Sequence, residues 1–230
     1  GRTTRGMRIY LATPRLRGLL ALNLSVAAAG AMVIVNTVVL VRGGFGLGER
    51  EVAWTLAAYG LGSMAAALTL PRLLEGRVTD RAAMLAGAGL LVLGLLLGPL
   101  VPSWEALLPV WALLGLGNGL VLTPAGRLLR RSAHPGDRPA LFAAQFALSH
   151  ASWLLTYPLA GRLGAAVGLP PTFAILSALA AAGLGAAAVL WPRRDPDEVE
   201  HDHLDLPPDH PHRAAGESPG SPHGLLKTAR

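Results

Sequence analysis

Cysteine is absent from the 230 residues. That excludes a disulfide framework, a cysteine-ligated zinc site and a thiol nucleophile, and leaves the compartment undecided. Charge is scarce: 15% of residues are Asp, Glu, Lys or Arg, against 52% apolar. Mean hydropathy is +0.44, more than a soluble core of this size needs. Aromatic residues make up 5%, too few for the stacking platform of a nucleic-acid module, so a pI near 10.9 needs another explanation. No carboxylate stands inside a long apolar run, because Glu49, Glu51, Glu75, Asp80, Glu105 and Asp137 all fall at run ends or in connections. An intramembrane aspartyl protease, which needs two buried acids, is thereby disfavoured. No H-E-x-x-H motif occurs either, and no enzymatic activity is expected.

What remains is a series of charge-free runs. Spans are expected at about 18–41, 52–71, 82–104, 106–126, 139–161 and 170–191. Each is long enough to cross a hydrocarbon core of about 30 Å as a helix rising about 1.5 Å per residue. Lipid requires backbone groups to be satisfied within the segment, and the runs do not alternate as barrel strands would. The fold class is therefore all-α, a six-helix membrane domain over 18–192. A basic cytoplasmic flank or linker covers 1–17, and a tail covers 193–230. The lipid bilayer is the first partner, and no nucleic acid is expected.

Arginine distribution sets the orientation. The flank, the second-to-third connection, the fourth-to-fifth connection and the start of the tail hold 14 arginines; the opposite connections hold Arg42, Arg50 and Arg162. The positive-inside rule then puts both termini in the cytoplasm, in a multi-pass plasma (inner) membrane. The chain begins with Gly1, and no signal peptide is recognisable ahead of the first span, so it reads as part of a longer protein, with Met7 the alternative start.

Small residues recur at four-residue spacing, as in Gly94 with Gly98, Gly115 with Gly119 and Gly164 with Gly168. Such pairs allow close helix contact, although glycine is also common in membrane helices generally. The two arginine-rich connections resemble each other: Pro71-Arg72-Leu73-Leu74 leads to Asp80-Arg81, and Pro124 with Arg127-Leu128-Leu129 leads to Asp137-Arg138. Either an internal repeat or a shared need for a charged clamp between antiparallel helices accounts for this.

His150 is the sharpest candidate for chemistry. It lies 12 residues from both Arg138 and Arg162, near the expected midplane. An ionisable residue there is costly and marks a substrate or proton pathway, or else it is a neutral imidazole bonded to a neighbouring helix. Gln145, Ser149, Ser152 and Thr156 recur at helical spacing, so they share one face that either lines a cavity or glues helices. Ser149 and His150, being adjacent, point about 100° apart and are not expected to form a catalytic dyad. Asn118, within Gly115-Leu116-Gly117-Asn118-Gly119, is assigned to a cavity; Asn36 joins the pathway candidates, and Asn23 reads as packing.

Gly76-Arg77-Val78-Thr79-Asp80-Arg81 matches the G-x-x-x-D-R loop between the second and third helices of a six-helix half in the major facilitator superfamily, which this sequence resembles over about residues 8–192. The family's further basic residues after that motif are replaced by Ala82-Ala83-Met84, as its C-terminal half usually shows. Arg127 with Arg138-Pro139 also resembles the family pattern. The resemblance implies a twelve-helix transporter in two halves with a small solute or ion bound between them, so an N-terminal six-helix half is an implied partner. It also implies a gating role for Gly76, Asp80, Arg81, Arg127 and Arg138, the alternative being a helix cap and a positive-inside anchor. An exporter is the first expectation, and a non-transporting six-helix scaffold or sensor is the second.

Past Pro192 the composition turns polar. Residues 193–230 hold eight of the 14 acidic residues and five of the seven histidines, without apolar periodicity, and are expected to be disordered. His201-Asp202-His203 and Asp209-His210-Pro211-His212 offer imidazole and carboxylate ligands suited to a divalent transition metal. Some metal-exporting members of the family carry similar His-rich tails. The alternative is a solvated tail with no ligand, and no other cofactor is expected.

Overall fold

In a computed structural model, residues 2–74 and 78–193 are described. Gly76 of the expected gating loop and His201, His203, His210 and His212 of the tail lie outside the described residues. Among the described residues every regular element is a helix, and there is no strand. A short helix α1 (Arg2–Ala12) precedes six long ones: α2 (Pro14–Ala31, continuing through π-helical turns to Gly44), α3 (Glu49–Leu74), α4 (Asp80–Leu97), α5 (Trp104–Arg131), α6 (Arg138–Val167) and α7 (Leu169–Leu190).

Local chemistry sets the breaks. Pro14 sits in the first turn of α2, where its missing N–H costs nothing. Thr79 caps α4 by accepting from the Ala82 N–H at 3.2 Å, and Ser103 caps α5 from Ala106 at 3.4 Å. The third span is expected to reach 104, but α4 ends at Leu97 and a 3₁₀ turn over Gly98–Leu100 follows, because Pro99 breaks the helix where counting charges registers no change. Gly168, at φ +84°, separates α6 from α7 in a conformation that other residues rarely adopt. Most helices overrun the charge-free runs because their arginine-bearing ends continue past the apolar stretch. The expected flank over 1–17 is likewise helical through α1 and the first turn of α2.

Five helices, α2, α3, α4, α5 and α7, are long and apolar enough to cross a membrane. The fifth expected span, 139–161, is present as the 30-residue α6, but α6 is not apolar enough to join them. Gln145, Ser149, His150, Ser152 and Thr156 interrupt its apolar run. Large apolar side chains that remain exposed, among them Leu61, Leu68, Leu154 and Val189, suit a surface facing hydrocarbon.

Packing has an internal order. α5 packs on α3 and α4, and α2 packs on α6 and α7; α4 and α7 pack on each other. Exchanging α2, α3 and α4 for α5, α6 and α7 carries these pairs onto one another. Three consecutive spans reverse direction, so the exchange relates two triplets that run in opposite senses. The similar loops after α3 and α5 are therefore not counterparts in this repeat, and a shared need at one end of the bundle explains their likeness.

Close contact depends on missing side chains. A Cβ at Gly115 would stand 1.8 Å from the Tyr59 carbonyl oxygen, and one at Gly62 would stand 2.0 Å from that of Ala112, so α3 and α5 meet backbone to backbone. In the bundle core, fully buried Trp111 meets Phe173 edge-on at 6.4 Å and donates its indole N–H to Thr37 Oγ1 at 2.9 Å. The π-helical turns over Met32–Asn36 and Val39–Gly44 change the phase of α2, since each adds to the residues per turn. Asn36 thereby faces α6 and Thr37 faces α5.

Candidate functional site

The arginine-rich connections gather at one end of the bundle. The Arg127 guanidinium at the end of α5 donates to the Asp80 carboxylate, which is buried in the first turn of α4. Arg81 turns the other way, donating through Nε to the Trp191 carbonyl at 2.9 Å and through a terminal nitrogen to that of Ala188 at 3.0 Å. It thus satisfies the C-terminal carbonyls of α7 with a cation, where the helix dipole favours one. Of the expected gating residues, Asp80, Arg81 and Arg127 therefore join α4, α5 and α7. Arg138 is not part of that link: it opens α6, and its Nε has no partner among the described residues.

A second set of bonds ties α1 to α6. Arg5 grips Asp137 with two nitrogens at 2.8 and 2.9 Å. At Gly6 the two helices approach so closely that a Cβ would fall 2.2 Å from the Ala140 carbonyl oxygen. The hydroxyl of fully buried Tyr10 donates to Gln145 Oε1. Beside this set, buried Arg15 at the start of α2 donates to Ser132 Oγ at the end of α5, at 3.0 Å. None of these docking contacts is anticipated by the sequence reading, although the 4-residue step from Gly6 to Tyr10 is a legible helical signal.

The polar stripe of α6 faces α1 and α2. Gln145 accepts from Tyr10, and Thr156 donates to the Ala27 carbonyl of α2 at 3.1 Å. Ser149 and Ser152 turn back to carbonyls of their own helix, those of Phe146 (3.0 Å) and Leu148 (3.3 Å). Asn36 is buried and donates to the Ala160 carbonyl at 3.3 Å, the geometry of a helix–helix bond. Asn23 is also buried, and its Nδ2 has no partner among the described residues.

Asn118 is half-buried on α5. Its neighbours Gly115 and Gly119 seat α3, and Gly117 seats α4, so the glycines carry the packing there. Among the described residues no bond or ring contact joins Asn118 to His150.

His150 lies about 130° around α6 from the centre of the polar stripe. Its Nδ1 is 2.7 Å from the Phe146 carbonyl oxygen. A carbonyl only accepts, so Nδ1 carries the proton, and a neutral imidazole then leaves the Nε2 lone pair available. Nε2 has no hydrogen-bond partner among the described residues. Ser149 Oγ is 3.5 Å from Nδ1, but Nδ1 already donates to the carbonyl, so no serine–histidine dyad forms.

The sequence reading misses the rings around His150. Phe146, His150, Trp153 and Tyr157 follow one another at steps of four, three and four residues and form a continuous ladder. Centroid separations are 3.8, 4.7 and 6.2 Å, and the last pair is stacked at 20°. Phe146 is 64% exposed. Tyr157, at the ladder's end, lies across Gly30 of α2, where a Cβ would be 3.6 Å from its hydroxyl, and interacts electrostatically with Tyr59 of α3. The ladder therefore flanks α2 on the side toward α3 rather than turning away from the bundle. The helical spacing of the four residues is the signal that could have found it.

Among the described residues no group of three or more His, Cys, Asp or Glu could hold a metal ion. Residues 20–221 match the family profile described as Major Facilitator Superfamily. A comparison with curated proteins finds no match.

Proposed function

The chain belongs to the major facilitator superfamily, a family of secondary transporters, and on that premise we propose that it forms the moving C-terminal half of an exporter of a small solute or metal ion. It is a multi-pass membrane protein, and the reading places both termini in the cytoplasm of a cell bounded by the plasma membrane. An N-terminal six-helix half would complete the site, with solute taken up alternately from either side between the halves.

The observation that carries the reading is the α6 face centred on His150: a ring ladder, level with the middle of the helix, in which His150 Nε2 has no partner among the described residues. Binding groups held by rigid helices on the open side of a half-bundle suit a solute that a second half closes over. Asp80, Arg127 and Arg81 tie the ends of α4, α5 and α7, so that these helices move as one body when the half rocks. Asn118 is assigned to the same pathway from α5, Gln145 from the α1–α6 contact, Asn36 from the α2–α6 seam and Ser149 from α6 beside His150.

Transport by the full-length protein in proteoliposomes, screened over metals and organic solutes, tests the proposal. His150→Ala is expected to abolish or re-tune the pH dependence of transport between about pH 5 and 8 without lowering membrane abundance. The other titratable groups near this face are Tyr59 and Tyr157, and neither tyrosine ordinarily titrates in that range. Unchanged transport over that range would reduce His150 to a packing residue.

A further inference from the structure

We infer that the α6 ladder binds planar aromatic acids or phenols, which makes these the solute class of the transporter proposed above and rests on that reading. The ladder supplies two kinds of recognition on one helix face. The first is ring surface: Phe146, His150 and Trp153 succeed one another with centroids 3.8 and 4.7 Å apart, and Phe146 and Trp153 are exposed. Aromatic pairs favour offset or edge-on contact, so a flat ring laid against this strip gains beyond its buried area.

The second is the protonation pattern of the one imidazole within the strip. Nδ1–H is committed to the Phe146 carbonyl at 2.7 Å, which leaves Nε2 as an acceptor. An acceptor held among rings selects a solute that brings a proton of its own, such as a carboxylic acid or phenol. If the proton passes to Nε2, it leaves the acid oxygen and the product is an imidazolium–carboxylate or imidazolium–phenolate pair, with the charges adjacent. A permanent organic cation fits less well. Cation–π attraction to the rings would act without a carboxylate to neutralise the charge, since among the described residues every Asp and Glu sits at a helix end or in a connection.

Tyr157, stacked on Trp153 at 6.2 Å, ends the strip with a hydroxyl. A polar stop there suits a solute with an aromatic body and a polar edge. Gly30 of α2 leaves the Tyr157 hydroxyl uncovered, because a side chain at that position would begin 3.6 Å from it.

The test is equilibrium binding of naphthoate to the purified full chain in detergent, with cyclohexanecarboxylate and naphthyl-trimethylammonium as comparators. Naphthoate is expected to bind, the saturated acid and the cation to bind at least about tenfold more weakly, and Phe146→Leu with Trp153→Leu to weaken naphthoate by about tenfold. His150→Phe keeps a ring and removes the acceptor; it is expected to abolish the preference for the acid over neutral naphthalene-methanol. Equal binding of naphthoate and the saturated acid, or ring variants of unchanged thermal stability that bind naphthoate as tightly as the parent, would overturn the inference. Transport of non-aromatic solutes without naphthoate binding would sink the solute class and leave the transporter. Naphthoate binding with no transport of any solute would keep the site and sink the transporter.

Discussion

The hydroxyl of Tyr10 donates to the side-chain oxygen of Gln145, 135 residues away, and so fastens the first helix to the polar stripe of α6. With the Arg5–Asp137 pair and the close approach at Gly6, it makes α1 part of the bundle rather than a loose basic leader. Loss of the phenol while the ring stays is the cleanest probe of that attachment.

Tyr10→Phe leaves Gln145 Oε1 without its donor and is expected to cost about 1 kcal/mol. Tyr10→Ala also removes a fully buried ring and is expected to cost about 3 kcal/mol or more. Protease cleavage within α1, followed by mass spectrometry, should accelerate in that order. Equal cleavage rates for the parent and Tyr10→Ala would mean that α1 is not held by this contact.

Gly115 and Gly60 make a matched pair of tests. A Cβ at Gly115 would collide with the Tyr59 carbonyl at 1.8 Å, whereas nothing lies within 4 Å of one at Gly60. Gly115→Ala is expected to destabilise by about 1–3 kcal/mol through the forced separation of α3 and α5. Gly60→Ala should be neutral or slightly stabilising, since alanine is the better helix former. Melting followed by size-exclusion elution reads both, and a Gly115→Ala protein as stable as the parent would show that the two helices can part at little cost.

Asp80 and Arg127 carry the link between α4 and α5. Asp80→Asn keeps the shape and removes the charge, weakening a charge-assisted bond, and transport is expected to fall by about tenfold. The exchanged pair Asp80→Arg with Arg127→Asp should recover part of that loss if attraction between the two is what matters. Should Asp80→Asn transport at the parent rate, Asp80 would be left as a first-turn residue complementing the helix dipole.

Topology is testable at six positions. Reporters fused at Gly46, Ser103 and Gly168 are expected to report the outside, and those at Gly76, Pro135 and Gly216 the cytoplasm. Reaction of Gly76→Cys with an impermeant thiol reagent in intact cells would invert the arrangement.

The tail proposal is separate from the fold. His201, His203, His210 and His212 are proposed to bind a divalent transition metal weakly, because ligands this close in sequence must order the chain between them to close around an ion, at a cost in conformational entropy. Zinc titration of the full chain by calorimetry, beside a variant with all four changed to alanine, should show heat lost in the variant. Identical isotherms would end the proposal.

Composition and periodicity determine the class of molecule. Charge-free runs longer than a bilayer is thick leave helices as the only economical structure, and 14 arginines on alternate connections, against three on the others, sort the helix ends into two groups. Asp80, Arg81 and Arg127 are legible too, because a short charged loop between antiparallel helices has few places to put its charges. The partners of individual polar residues are not legible. Gln145, Ser149, Ser152 and Thr156 share a face by spacing alone, but only the positions of α1 and α2 decide that the face is a seam. Asn36 falls on that seam because π-helical turns rotate α2 out of phase with a regular helix, which a 3.6-residue reading cannot anticipate. His150 stands out in sequence by its residue type, yet the acceptor nitrogen it presents follows from one 2.7 Å bond to a carbonyl, and Tyr157 lies against Gly30 only because α6 packs on α2. Local order is set by forces acting within one helix, whereas partners between helices depend on which faces pack, and that is decided by the fit of the whole bundle.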